Sequence, residues 1–487
     1  MIHCNLVIDM SKPAGVSPSQ EGGIREMSMR RWFWRGLKAF GVLVAVALVL
    51  FLAWRVWIER QARTALQDLR AQGHPVRFDE FVELYHRDFP SNPDNAVEIY
   101  FKAMDAVSRE RAGRPFCDVD VAPIVSGARF PAPGEPFPSE QAEAIEAYLA
   151  AYPESLTLLH EAVGRPEGRW PPERHVSPDI PLDDFAALRQ LMRLLVLEAG
   201  WHAHEGRAEE SAAAVKAQWR LVRSARRMPV ITEQLVALAI QDMAVHSLMR
   251  TLARVSLPEE SREFIDELLT VVLETDSALM AVSGELVLVL DPNLVREAIA
   301  LPHHGVLERT VSRLYTMLGG HAWDITLFVP DAKLLLNAYA QPRHERLQAY
   351  AVYLAESHAP RERRGILARY ALSGVTPVAE VPATTKTMAA RIALALDNYR
   401  TTWGRLPETL DELVPNYIAA LPEDPFLGQA FEYVSEEPAY ALYPSGLDAL
   451  LKEARLAGYE EGLLGHYLLQ PSPLTFAVHW KPGEVHD

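Results

Sequence analysis

Between Ala39 and Trp54 the chain reads AFGVLVAVALVLFLAW, without one charged side chain. With Leu37, Val56 and Trp57 the apolar run reaches roughly the 20 residues that a helix needs to cross a bilayer. Such a segment constrains everything around it, because lipid accepts only backbone whose polar groups bond within the segment. Trp32, Phe33 and Trp34 stand at one end and Trp54 and Trp57 at the other, where aromatic rings suit the headgroup boundary, while Lys38 and Arg55 can extend their charges outward. The run is long for the apolar region of a cleaved signal peptide, and Arg55-Val56-Trp57-Ile58-Glu59-Arg60 holds no pair of small residues for a peptidase. The sequence therefore predicts an uncleaved transmembrane anchor over residues 30–58, with residues 37–57 in contact with the lipid bilayer.

Arg25, Arg30, Arg31, Arg35 and Lys38 precede the span against Glu26 alone, whereas Arg55, Arg60, Arg63 and Arg70 follow it mixed with Glu59 and Asp68. This bias predicts a cytoplasmic N-terminus in a cell (inner) membrane, with the bulk of the chain extracytoplasmic. Residues 1–29 contain Pro13, Gly15, Pro18, Gly22 and Gly23 without periodicity and read as a disordered cytoplasmic tail. Over the whole chain, 48 Lys and Arg face 64 Asp and Glu, a formal charge of −16 that argues against a nucleic-acid partner. Cys4 and Cys117 lie on opposite sides of the span and supply neither a disulfide framework nor a four-sulfur metal site.

Beyond the span, apolar residues recur at three- and four-residue spacing and predict a mainly α chain, with a helical extracytoplasmic domain over residues 59–380. Helical runs are expected from Arg60 to Leu69, Asp79 to Tyr85 and Asp94 to Val107. Proline- and glycine-rich loops follow from Gly113 to Pro138 and from Gly164 to Pro181. Leu182 to Val272 divides into four helices at Gly206, Pro229 and Pro258, a helical-hairpin pattern that buries its faces by stacking. Glu198 to Ser211, with Gly206 at the turn, resembles the inter-helix turn of a tetratricopeptide repeat. Ser283 to Leu290 is too apolar to assign by periodicity, and Leu294 to Tyr353 is helical again with breaks at Pro302, Pro330 and Pro342.

After a linker from Ser373 to Pro382 the pattern changes to a C-terminal α+β module, residues 381–470, followed by a tail, 471–487. A helix from about Thr384 to Thr401 precedes Gly404, Pro407 and the run Leu421-Pro422-Glu423-Asp424-Pro425-Phe426-Leu427-Gly428. Two strands are expected at Ala430 to Val434 and Ala439 to Tyr443, then Ser445-Gly446-Leu447-Asp448. Residues 384–448 resemble the globular part of the major pseudopilins of type II secretion, which implies a helix followed by a small antiparallel sheet. The calcium site of that family is not carried over, because Asp448 leads into Ala449-Leu450-Leu451-Lys452-Glu453 rather than an acidic loop. The order of anchor, helical body and terminal module resembles large uncharacterised envelope proteins of planctomycete-type bacteria, which implies an architecture and no specific activity.

Chemistry-bearing residues are few. His303 and His304 follow Pro302 in a turn, and His321 and Asp324 lie one helical turn apart behind Gly319-Gly320, a spacing that could orient an imidazole as general base. His202 and His204 point to different sides of a helix and cannot chelate together. Trp170, with Arg174 and His175 nearby, offers an aromatic and cationic contact surface, and Arg220, Arg223, Arg226 and Arg227 read as a solvated basic helix face. The common hydrolase, zinc-protease and nucleotide-binding motifs are absent. No metal or cofactor is implied. The sequence thus predicts a membrane-anchored scaffold contacting other envelope proteins. The alternatives are a tethered hydrolase using His303, His304, His321 and Asp324, and a component of a secretion or pilus-like assembly.

Overall fold

In the computed structural model, described residues are 21–111, 131, 135–179, 181–301, 305–356, 376–423, 428–436, 439–444 and 476–479. Helix α1 (Glu21–Ala71) is one continuous element that carries the chain through the apolar span and into the body. Side chains from Trp32 to Trp57 are almost all exposed, whereas Ile58, Ala62 and Leu69 are buried. The helix starts at Glu21, inside the stretch expected to be a disordered tail. Once nucleated by the long apolar segment, it extends backward through the proline-free residues before Trp32 at little cost. It stops where Gly73 takes φ of 87°, a left-handed conformation suited to glycine.

The chain then forms α2 (Phe78–Asp88), α3 (Ala96–Arg111), α4 (Ser139–Leu149), α5 (Pro153–Val163) and the one-turn α6 (Pro172–His175). The helical centre follows as α7 (Leu182–His204), α8 (Ala208–Ala225), α9 (Ile231–Leu252) and α10 (Glu259–Glu274). Gly206, at φ 70°, makes the tight turn between α7 and α8 that the sequence predicts. Across that hairpin the Ser211 hydroxyl donates to the Ala199 carbonyl at 2.9 Å, and the Gln218 amide donates to the Leu195 carbonyl at 2.9 Å and to Ser247 on α9 at 3.0 Å. Leu188, Leu191, Leu195, Val215, Trp219 and Leu248 close the core between them.

A second core joins α1 to α11 (Ala278–Leu290), α14 (Gly320–Tyr339) and α15 (Arg343–Glu356). Ile58, Ala62 and Leu69 of α1 meet Ile325, Phe328, Val329, Ala332, Leu335 and Leu336 of α14 in it. The unassigned apolar stretch is α11, a helix buried over most of its circumference. A 70° bend at Asp291 leads into α12 (Pro292–Ala300), then α13 (Val306–Met317). Pro330 does not break the chain as expected but lies inside α14, which loses one backbone hydrogen bond while its apolar face stays packed against α1.

The C-terminal unit is built from α16 (Thr376–Trp403), the 3-10 turn Leu410–Leu413 and a three-stranded antiparallel sheet, β1 (Glu432–Glu436), β2 (Ala439–Tyr443) and β3 (Phe476–His479), in the order β1-β2-β3. Glu432 faces Tyr443 across the β1–β2 pair and Ala441 faces Ala477 across β2–β3. Two expectations change. The stretch read as a linker up to Pro382 is helical from Thr376, and β3 lies within the expected tail. Helix α16 also runs through residues 380–381, where the sequence places a module boundary. Its Ala389, Ile392, Ala393 and Leu396 share the core of α7–α10.

Buried charges fasten this helix. Glu380 lies 3.4 Å from Arg226, 3.6 Å from Arg343 and 3.2 Å from Arg346, and Asp397 lies 3.4 Å from Arg262 and 2.7 Å from Arg400. Arg220, Arg223 and Arg227 converge on Glu167 at 2.7, 2.8 and 3.5 Å. The basic run is therefore a set of largely buried ion pairs, not a solvated face. Removing one partner of such a pair costs roughly 3–5 kcal/mol, because the remaining charge stays buried.

Candidate functional site

His321 and Asp324 open α14 behind Gly319, which turns the chain from α13 at φ 97°. His321 is buried, and its Nε2 donates to the Val289 carbonyl of α11 at 3.2 Å; desolvation holds the imidazole below its usual range. Asp324, also buried, accepts a hydrogen bond from the Tyr315 hydroxyl of α13 at 2.9 Å. The two side chains thus knit α11, α13 and α14 together through separate partners. His303 and His304 lie outside the described residues.

The expected contact surface around Trp170 is corrected by its burial at 1% exposure. Its indole N–H donates to the Ser224 carbonyl at 2.8 Å, and Phe101 and His175 meet its ring edge-on with centroids 5.4 and 5.5 Å away. A large flat side chain with one donor to satisfy is drawn into the core when a carbonyl is within reach, whatever loop carries it. Arg174 remains at the surface, paired with Asp184 through two hydrogen bonds of 2.7 Å and lying 4.9 Å above the Phe101 ring.

Sequence reading misses a titratable cluster beneath Trp170. His175 Nδ1 meets Glu233 Oε1 in a fully buried pair, and Glu233 Oε2 also accepts from the Val230 N–H at 3.3 Å at the start of α9. Glu285 on α11 takes a backbone hydrogen bond from Ile231 near Glu233, and burial pushes its carboxyl up to about 7. The Tyr85 hydroxyl donates to the Arg227 carbonyl at 2.7 Å, and desolvation beside Glu233 drives its acidity far down. The available signal is Glu233 three residues into a helix behind Pro229-Val230, where a carboxylate caps backbone N–H groups. With Tyr85, His175 and Glu233 buried and Glu285 half-buried, the cluster ties α2, α6, α9 and α11 together.

A concave feature of about 430 Å³ opens between α1, the turn after it and the α11–α12 bend, lined by Leu66, Arg70, Val76, Arg77, Asp291 and Arg296 among others. Asp291 caps two helices at once, with Oδ2 accepting from the Phe78 N–H at 2.9 Å and Oδ1 from the Asn293 N–H at 2.7 Å. Arg70 pairs with Glu80 at 2.8 Å, Arg77 with Asp79 at 3.1 Å, and Arg296 donates to Asn293 at 3.4 Å. The cleft can admit a small anion between guanidinium groups already held by neighbours. Among the described residues, no group of three or more His, Cys, Asp or Glu side chains is arranged to hold a metal ion. No protein-family model, curated protein or solved structure matches this chain.

Proposed function

We propose that this chain is a single-pass membrane-anchored scaffold whose helical body, carried outside the cytoplasm, makes protein–protein contacts in the cell envelope. The observation that carries the reading is the continuity of α1: from Trp32 to Trp57 it is mostly apolar and exposed, and its last turns are a core element of the body. Residues 58–71 extend about 21 Å beyond the span at 1.5 Å per residue, so the body is mounted on a rigid stem packed against α14. The basic flank before Trp32 supports a cytoplasmic N-terminus.

The α7–α10 hairpins support a reading as repeat-like stacking, and the order helix, turn and antiparallel hairpin in residues 376–443 supports a pseudopilin-like unit. Trp403, Val414 and Val434 are exposed apolar groups of that unit, a surface suited to a protein partner, including one in a secretion or pilus-like assembly. A photo-crosslinking amino acid placed at position 403 or 434 in intact cells tests this. Discrete adducts with envelope proteins are expected from both positions, with the chain resisting alkaline extraction from membranes. Free chain alone at both positions, or release by alkali, contradicts it.

A further inference from the structure

Helix α13 is amphipathic, yet it turns its apolar side away from the body. Leu307, Val311, Leu314 and Leu318 follow one another at spacings of four, three and four residues, which places them in one stripe along a helix. All four are exposed, Leu307 at 78%, and Met317 beside them is exposed at 76%. Ser312 lies on the other side of the helix, and Tyr315, at the edge of the stripe, is held to Asp324 on α14 by its hydroxyl. An ordinary surface helix presents the opposite arrangement, with apolar residues toward the core.

The position of this stripe identifies what covers it. Helix α14 runs beside the body half of α1 in the same direction: Gly319 lies against the stem of Arg55, and Lys333 lies 3.5 Å from Asp68. The α13–α14 turn is therefore level with the end of the apolar span. There the Trp323 ring lies 6.4 Å from the ring of Trp54, one of the two tryptophans at that end of the span. Trp323 and Leu327 are themselves exposed, as are Leu318, Leu314, Val311 and Leu307 on the helix that leads into this turn, so exposed apolar side chains of α1, α13 and α14 gather where the span ends. Arg313, next to Leu314 in sequence, is exposed, and a cation at the margin of an apolar stripe suits lipid phosphate.

We propose that α13 lies in the bilayer surface on the side of the membrane that holds the body, forming a second, interfacial membrane contact that fixes the tilt of the body on its stem. The contact rests on the reading of α1 as a membrane span, and one experiment separates the two. The full chain, with Cys4→Ser and Cys117→Ser, is reconstituted in vesicles of phosphatidylethanolamine and phosphatidylglycerol. Single nitroxide-labelled cysteines are placed at Val311→Cys or Leu314→Cys, with Leu48→Cys in the span and Glu209→Cys on α8 as references. The readout is the ratio of collisions with oxygen to collisions with a water-soluble nickel chelate. Positions 311 and 314 are expected to exceed position 209 by roughly threefold or more, on the side of position 48, as for side chains sunk 5–10 Å into the interface. If position 48 reads as lipid while 311 and 314 match 209, the interfacial contact is overturned and the anchor stands. If position 48 also matches 209, the anchor falls and the contact with it. Leu307→Glu combined with Leu314→Glu changes only exposed side chains, so it leaves the melting profile in detergent intact. In vesicles it is expected to return a label at position 311 to the aqueous ratio. A label that stays in lipid counts against the stripe as the cause.

Discussion

Glu285 illustrates how single side chains in this body are set against their surroundings. Its carboxyl ordinarily titrates near 4.5, but burial raises it to about 7 beside the Glu233–His175 pair. A folded-state value above the unfolded one means that the folded protein holds the extra proton between these two values. Stability therefore falls as pH rises through about 4.5 to 7 and stays reduced above it. Glu285→Gln removes that dependence: the variant is expected to match the parent at pH 4 and to exceed it by roughly 3 kcal/mol at pH 8. Chemical denaturation of the detergent-solubilised full chain at the two pH values checks this, and an equal effect at both would contradict the assignment. Residue-scale features of this sort are poorly legible in the sequence. Gly319-Gly320-His321 and Asp324 advertise a catalytic spacing, yet their partners come from α11 and α13; Glu233 advertises only a helix cap and Glu285 nothing, yet tertiary packing brings them together.

Elements are more legible where a repeating pattern sets them, and less so where packing overrides local preference. Gly206 as a turn and the α7–α8 pair follow from periodicity and a residue that tolerates positive φ. Pro330 and Pro382 read as breaks because each removes a backbone donor, but the apolar faces around them are held by α1 for the first and by α9, α10 and α15 for the second, and that burial outweighs one lost bond. Strand β3 gains its order from pairing with β2, from which it is separated by more than thirty residues. Gly284 in α11 is the most exacting contact between elements: a Cβ there would come 2.1 Å from the Pro229 carbonyl oxygen. Alanine ordinarily gains about 1 kcal/mol over glycine in a helix. Gly284→Ala is nevertheless expected to destabilise by roughly 2–3 kcal/mol, since backbone must shift to admit the methyl group. A thermal midpoint at or above that of the parent would show that α11 does not cross the α8–α9 turn so closely.

At the scale of the whole molecule, the apolar span is readable residue by residue because lipid imposes a length and a composition that soluble packing does not. The union of that span with the body is not readable, because Ile58, Ala62 and Leu69 look like any amphipathic continuation until α14 is laid against them. The proposed topology depends on this union: in it, basic-flanked α1 crosses the membrane once and carries the acidic body on the far side. Paired fusions after Asp487 test it most directly, one to alkaline phosphatase, active only outside the cytoplasm, and one to green fluorescent protein, which fluoresces only inside when exported by the general route. High phosphatase activity with a dark fluorescent fusion is the predicted result, and a bright fluorescent fusion with inactive phosphatase would contradict it.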